Sequence, residues 1–147
     1  MSHFVGCWRF IRAENLDELL KTLKVNDGLR KLATVARPRV IIRMVSVKEL
    51  EVASITDYIT VVEQAKFDEE FTEITADGRV VTSTFTKESE SKMTKVQKHA
   101  DLNTVVQYEV QGDELTTTVT AGGVTARAKF SRHNDRRSSQ DTRIEDL

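Results

Sequence analysis

Asn15-Leu16-Asp17-Glu18-Leu19-Leu20-Lys21-Thr22-Leu23-Lys24-Val25-Asn26-Asp27-Gly28-Leu29-Arg30-Lys31-Leu32-Ala33-Thr34-Val35-Ala36-Arg37-Pro38 is the one stretch of this chain with a helical period. Leu16, Leu19, Leu20 and Leu23 recur at i, i+3, i+4 and i+7, a single apolar stripe. Leu29, Leu32, Ala33 and Ala36 repeat that spacing. Asn15, with Glu18 three residues on, predicts the first helix start, and Asn26 or Asp27 the second. Pro38, the only proline, biases Arg37 away from helical geometry and ends the segment near Ala36. Two short amphipathic helices therefore follow whatever precedes residue 15.

Everything around that segment reads as β. Residues 4–12 predict a first strand, with Gly6 a candidate bulge or close approach. Further strands are predicted near 38–46, 48–55, 58–64, 67–74, 79–86, 91–98, 104–111, 114–121 and 123–131. Asp77-Gly78, Gly112-Asp113 and Gly122-Gly123 are hairpin dipeptides. About ten short strands indicate a sandwich or an up-and-down barrel. Two helices are too small to cover so long a sheet but fit the mouth of a closed barrel. The strands are rich in Thr and Val, and one Trp, two Tyr and six Phe serve all 147 residues. That composition suits a barrel with an unfilled interior; a thin sandwich with a modest core is the competing reading.

Composition narrows the function classes. A net charge of -1 with 31% charged residues describes a soluble globular domain without the basic excess of a nucleic-acid binder. No apolar stretch spans a bilayer and no secretory signal is visible. The lone Cys7 cannot close a disulfide within the chain, which fits a reducing cytosol. His3, His99 and His133 stand apart from any metal-ligand spacing, and no phosphate loop or nucleophile elbow is present, so we expect neither catalysis, nor a metal, nor a cofactor. Residues 133–147 are polar and aperiodic and are expected to be a disordered tail after a domain spanning 1–132.

The motifs Phe4-Val5-Gly6-Cys7-Trp8-Arg9, Glu14-Asn15-Leu16-Asp17, Leu29-Arg30-Lys31-Leu32-Ala33, Glu70-Phe71, Thr75-Ala76-Asp77-Gly78-Arg79 and Val96-Gln97-Lys98 occur in an order that resembles the intracellular lipid-binding proteins. The run from Thr84 to Met93, and Thr117-Thr118-Val119-Thr120 followed by Val124-Thr125-Ala126, look like the fatty-acid-binding proteins of parasitic flatworms. The resemblance implies an all-β fold: a ten-stranded antiparallel clamshell barrel, lipocalin-like, with a helix-turn-helix lid after the first strand. It implies a monomeric, cytoplasmic, non-enzymatic carrier of long-chain fatty acids or similar hydrophobic ligands. A carrier of a neutral retinoid-like ligand and a ligand-free β interaction domain are the alternatives.

The resemblance also implies site residues. The family commonly holds a carboxylate with an Arg on one late strand and an Arg-x-Tyr on the last. Those positions fall on Gln107 and on Ala128, Lys129 and Phe130, so the usual clamp is missing. Phe130, Ala128 and Ala126 share one face, taken as the inner one because of Phe130. Gln107 and Phe130 look like the retinol-binding branch, and Gln107 is the expected interior polar contact, directly or through water. Leu16, Leu20, Phe85, Ala128 and Phe130 should line the cavity, with Leu23, Leu29 and Leu32 forming the lid. Arg39, Arg43 and Lys66 are candidate partners for an anionic head group. Lys21, Arg30 and Lys31 match basic helix residues that relatives use to touch anionic membranes.

Overall fold

In a computed structural model, residues 3–133 are described, and every element position quoted below falls within them. Ten strands run β1 (Gly6–Glu14), β2 (Arg39–Met44), β3 (Glu49–Ile55), β4 (Thr60–Lys66), β5 (Phe71–Ile74), β6 (Val80–Ser89), β7 (Lys92–His99), β8 (Leu102–Gln111), β9 (Glu114–Ala121) and β10 (Val124–Arg132). Helices α1 (Leu16–Thr22) and α2 (Asp27–Val35) lie between β1 and β2. Each strand pairs antiparallel with its chain neighbour, except that β1 pairs with β10 and no ladder joins β4 to β5. The sheet therefore curls into a nearly closed up-and-down barrel with one seam, between β4 and β5. The expected tail, apart from His133, lies outside the described residues.

The hairpins set the register. Gly122 and Gly123 both have positive φ, 54° and 77°, which the two-residue turn between Ala121 and Val124 requires and which a β-carbon would oppose. Gly6 is the expected close approach rather than a bulge. It pairs with Ile42, and a β-carbon there would stand 2.9 Å from the Arg132 guanidinium. The register shift in β1 falls instead between Phe10 and Arg12. Asn15 also departs from expectation. Its φ of 62° is left-handed, its side chain caps nothing, and its amide donates 2.9 Å to the Thr125 carbonyl, tying α1 to β10. Asn26 does cap α2, accepting from the Leu29 N–H at 3.0 Å.

One main core fills the end of the barrel away from the helices. Trp8, Phe4, Phe85, Leu50, Met93 and Leu115 are wholly buried there with Ile42 and Phe130. The Trp8 indole N–H donates 2.9 Å to the Phe4 carbonyl, and Arg132 lies 4.3 Å over its ring. Arg132 also donates to the Val5 and His3 carbonyls and pairs with Asp113, closing this end. At the other end Leu19 packs α1 onto Ala121 and Ala126, with Leu23 against the same cluster.

Candidate functional site

Beneath the helices the inward alternation of several strands meets small side chains. Phe10, Ser54, Thr117, Val119, Ala126 and Ala128 border a cavity of about 380 Å³. Leu16 and Ala33 roof it from the helices, and Asp17 and Arg127 reach its rim. A second cavity of about 190 Å³ lies between Leu16, Leu20, Val25, Leu29 and Ala33 on the helix side and Tyr58, Ala76 and Asp77 on two strand turns. The first is within the range of small-molecule sites, and its walls are mostly apolar.

Of the residues singled out from sequence, Ala128, Leu16, Leu20 and Leu29 border one of these cavities. Phe130 is buried in the core below, 5.9 Å from Phe10 in an edge-to-face pair. Phe85 is not a cavity wall. It is fully buried, stacked on Phe71 at 5.9 Å and tilted against Tyr108 at 6.0 Å. Leu23 packs into the α1 cluster, and Leu32 is 43% exposed and borders neither of these two cavities.

Gln107 is corrected outright. It is exposed on the outer face of β8, while Thr104, Val106, Tyr108 and Val110 turn inward. The Gly112-Asp113 turn pairs Gln111 with Glu114 and Val110 with Leu115. Since the core residue Leu115 points inward, so must Val110, Tyr108 and Val106. Tyr108 therefore holds the inner position, and burial pushes its phenol up to about 12. The three candidate cations also face outward. Arg39 and Arg43 alternate with the core residues Val40 and Ile42, and Lys66 is exposed beside the buried Ala65. Arg43 donates 2.9 Å to Glu51, which also accepts from Gln64 at 3.0 Å.

The polar interior lies where sequence reading did not look. Lys95 on β7 is 3% exposed. Its ammonium donates 3.2 and 2.9 Å to both oxygens of Glu63 on β4 and 3.1 Å to Glu73 on β5. The second oxygen of Glu73 accepts from the Ser83 hydroxyl at 2.7 Å and the Gln97 amide at 3.1 Å. The Phe85 ring lies 5.3 Å from the ammonium. Burial pushes the Glu63 carboxyl up, against the pull of Lys95 and with Glu73 adding to the rise. Burial acts the same way on Glu73, but Lys95 and the Ser83 and Gln97 hydrogen bonds outweigh it and hold that carboxyl below its ordinary value. The cluster thus ties the two strands flanking the seam to a third. The one signal for it in sequence is parity: Lys95 and Gln97 stand two and four positions after the apolar Met93 and so share its inward face.

On the helices Arg30 is not a free surface charge. It pairs with Asp17 at 3.1 Å and with Asp27, and donates 2.9 Å to the Val25 carbonyl, locking α2 to α1. Lys21 pairs with Asp17 and Glu18, both at 3.3 Å. Lys31 is exposed. Among the described residues no group of three His, Cys, Asp or Glu is placed to hold a metal, and no helix is long and apolar enough to cross a membrane.

Comparison with known proteins agrees with this architecture. Residues 5–129 match the model of the lipocalin / cytosolic fatty-acid binding protein family. A fatty acid-binding protein of Clonorchis sinensis is 38% identical over 133 residues, covering 90% of this chain and 100% of the relative. Fatty acid-binding protein type 3 of Fasciola hepatica is 40% identical over 126 residues, 86% of this chain and 95% of the relative. The solved Schistosoma mansoni fatty acid binding protein in complex with arachidonic acid superposes with a TM-score of 0.88 at 35% identity, covering 91% of this chain and 98% of that one. By family match, relatives and fold alike, this chain belongs to the lipocalin / cytosolic fatty-acid binding protein family.

Proposed function

We propose that the protein is a non-enzymatic carrier that holds one long-chain fatty acid, or a ligand of similar shape, in the cavity beneath α1 and α2. It would work in the cytosol as a monomer. The observation that carries this reading is the cavity of about 380 Å³, enclosed by Phe10, Val119, Ala126 and Ala128 under a helical roof. An acyl chain entering such walls gains about 0.8 kcal/mol for each methylene removed from water. Relatives named as fatty acid-binding proteins, one of them solved with arachidonic acid, support the choice of ligand class. The test is competitive. Delipidated protein is incubated with equal amounts of oleic acid, retinol and methyl oleate, separated from free lipid, extracted and analysed by mass spectrometry. Oleic acid should dominate, at close to one molecule per chain. Recovery of retinol instead would favour the neutral-ligand alternative, and recovery of nothing would contradict a carrier.

Release is proposed to involve contact between the helices and anionic membranes. Lys31 is exposed on α2, and Leu32 and Val35 beside it are 43% and 76% exposed, an arrangement suited to an interfacial surface. With Lys21 and Arg30 already paired, the electrostatic part of this contact should be modest. Transfer of a fluorescent fatty acid to anionic vesicles should slow as salt is raised. A rate indifferent to salt would contradict a role for Lys31.

A further inference from the structure

Ile41 and Ala53 are 0% exposed, although both point out of the barrel. Their strand neighbours Val40, Ile42 and Val52 belong to the inner core, so alternation turns Ile41 and Ala53 outward. Ladder pairing places Cys7, Ile41 and Ala53 in one row across β1, β2 and β3, and Ile55 packs against it. Outward apolar side chains elsewhere behave differently: Val62, Ile74 and Val80 are 47, 65 and 58% exposed. The burial is that of a single chain, so the cover over this row comes from the chain itself. The described elements do not supply it. β2 and β3 pack chiefly on their ladder neighbours, and the helices on β9, β10 and each other. The β2–β3 turn leaves Val47 93% exposed instead of folding back over the row.

We infer that residues 134–147 dock across the outer face of β1, β2 and β3, with Ile144 and Leu147 seated over Cys7, Ile41 and Ala53, rather than trailing free as their composition predicts. The chain leaves β10 beside this row. The His133 N–H donates 2.8 Å to the Cys7 carbonyl, and the His133 imidazole lies 3.4 Å from the Arg9 guanidinium. From there residues 134–147 can reach about 45 Å when extended, whereas β3 is only about 10 Å from β1. Met1 and Ser2 at the other terminus reach about 7 Å, too little to cross the row. Ile144 and Leu147 are the only large apolar side chains in the segment, with Glu145 and Asp146 between them. The row has a matching frame of Arg9, Arg39 and Arg43 on the same outer face. Burial pushes the Cys7 thiol up, against the pull of Arg39 and Arg9 beside it. The Nε of Arg43 is shielded from water with no acceptor among the described residues, as befits a group beneath a covering segment.

Cys7, the only thiol of the chain, reports the cover directly. In the full chain, labelling of native Cys7 by iodoacetamide should speed up at least about tenfold when Ile144→Ser and Leu147→Ser are combined, since two large apolar side chains lose their burial. The double variant leaves the inner core untouched and should keep the parent's circular dichroism. A second measurement does not depend on the thiol. A nitroxide attached through Ser139→Cys, in a full chain that also carries Cys7→Ala, should broaden the amide signals of Ile41 and Ala53 and spare those of β7. Unchanged labelling in the double variant, or sharp signals throughout β2 and β3, would overturn the inference. Protection of Cys7 that disappears on dilution would overturn it in favour of a second copy of the chain. Protection that survives the double variant but is lost when Met1 and Ser2 are removed would overturn it in favour of the other terminus.

Discussion

Replacing Lys95 with methionine should destabilise the protein by about 3–5 kcal/mol at neutral pH, the cost of leaving a buried ionic partner uncompensated. Methionine keeps most of the length of the side chain, so the loss is chiefly electrostatic. Glu63 and Glu73 would be left facing one another in the barrel wall, without the ammonium that now stands 2.9 and 3.1 Å from them. The pH dependence identifies the cause. In the native cluster Lys95 is held charged, well above its ordinary range: burial pulls it down, but the neighbouring Tyr108, Glu63 and Glu73 together outweigh burial. A raised lysine contributes fully below its unfolded value and loses that contribution only in strong alkali, so its effect is complete at neutral pH. Without it, burial and mutual repulsion should raise both carboxyl groups. A raised carboxyl binds protons more readily when folded, so stability returns as pH falls. The deficit of Lys95→Met should therefore be largest in mild alkali and shrink toward pH ~5, where the two groups can protonate. Thermal melts of the variant and the parent across this range check it; a deficit independent of pH would mean that the lysine acts by packing alone.

The same variant bears on dynamics. β4 and β5 share no ladder, so their facing edges lack partners along the seam. Lys95 reaches Glu63 on one and Glu73 on the other from β7, a side-chain link in place of backbone bonds. Its loss should raise amide exchange in β4 and β5 before it does so in β8 or β9, whose ladders are continuous on both sides.

Much of the architecture is legible in the sequence, because hydrophobic period and turn chemistry point the same way. The stripe Leu16, Leu19, Leu20, Leu23 is helical by spacing alone, and Gly122-Gly123 marks a hairpin by the φ it permits. Gln107 shows where family position misleads. Counting residues against relatives placed it inside, yet Val106, Tyr108 and Val110 form the alternating apolar set of that strand and pass it to the outer face. In a strand a slip of one residue reverses every side chain, and the hairpin at Gly112 decides which way. The deep cluster was hidden for a different reason. β7 carries polar residues on both faces, Lys92, Thr94 and Lys98 outside and Lys95 and Gln97 inside, so period 2 has little contrast there. Only the approach of β4, β5 and β7 in three dimensions brings Glu63, Glu73 and Lys95 together, and no local pattern encodes that approach. Phe85 is legible as apolar but not as core rather than cavity, which depends on how far down the barrel its register places it.

The most direct test of the central claim is to fill the cavity. Ala128 is half-buried on β10, opposite Thr117 and Ala13, and borders the space of about 380 Å³. Tryptophan at this position adds an indole where the acyl chain is proposed to lie, and it enters open space rather than a packed core, so the usual overpacking cost of about 1–3 kcal/mol should be largely avoided. Displacing even three methylenes forfeits about 2 kcal/mol of burial. Oleate affinity, measured by displacement of a fluorescent fatty acid, should therefore fall by more than about tenfold in Ala128→Trp with little change in melting temperature. Ala33→Trp, which intrudes from the helical roof instead, should do the same. Unchanged oleate affinity in both folded variants would contradict the assignment of this cavity as the ligand site.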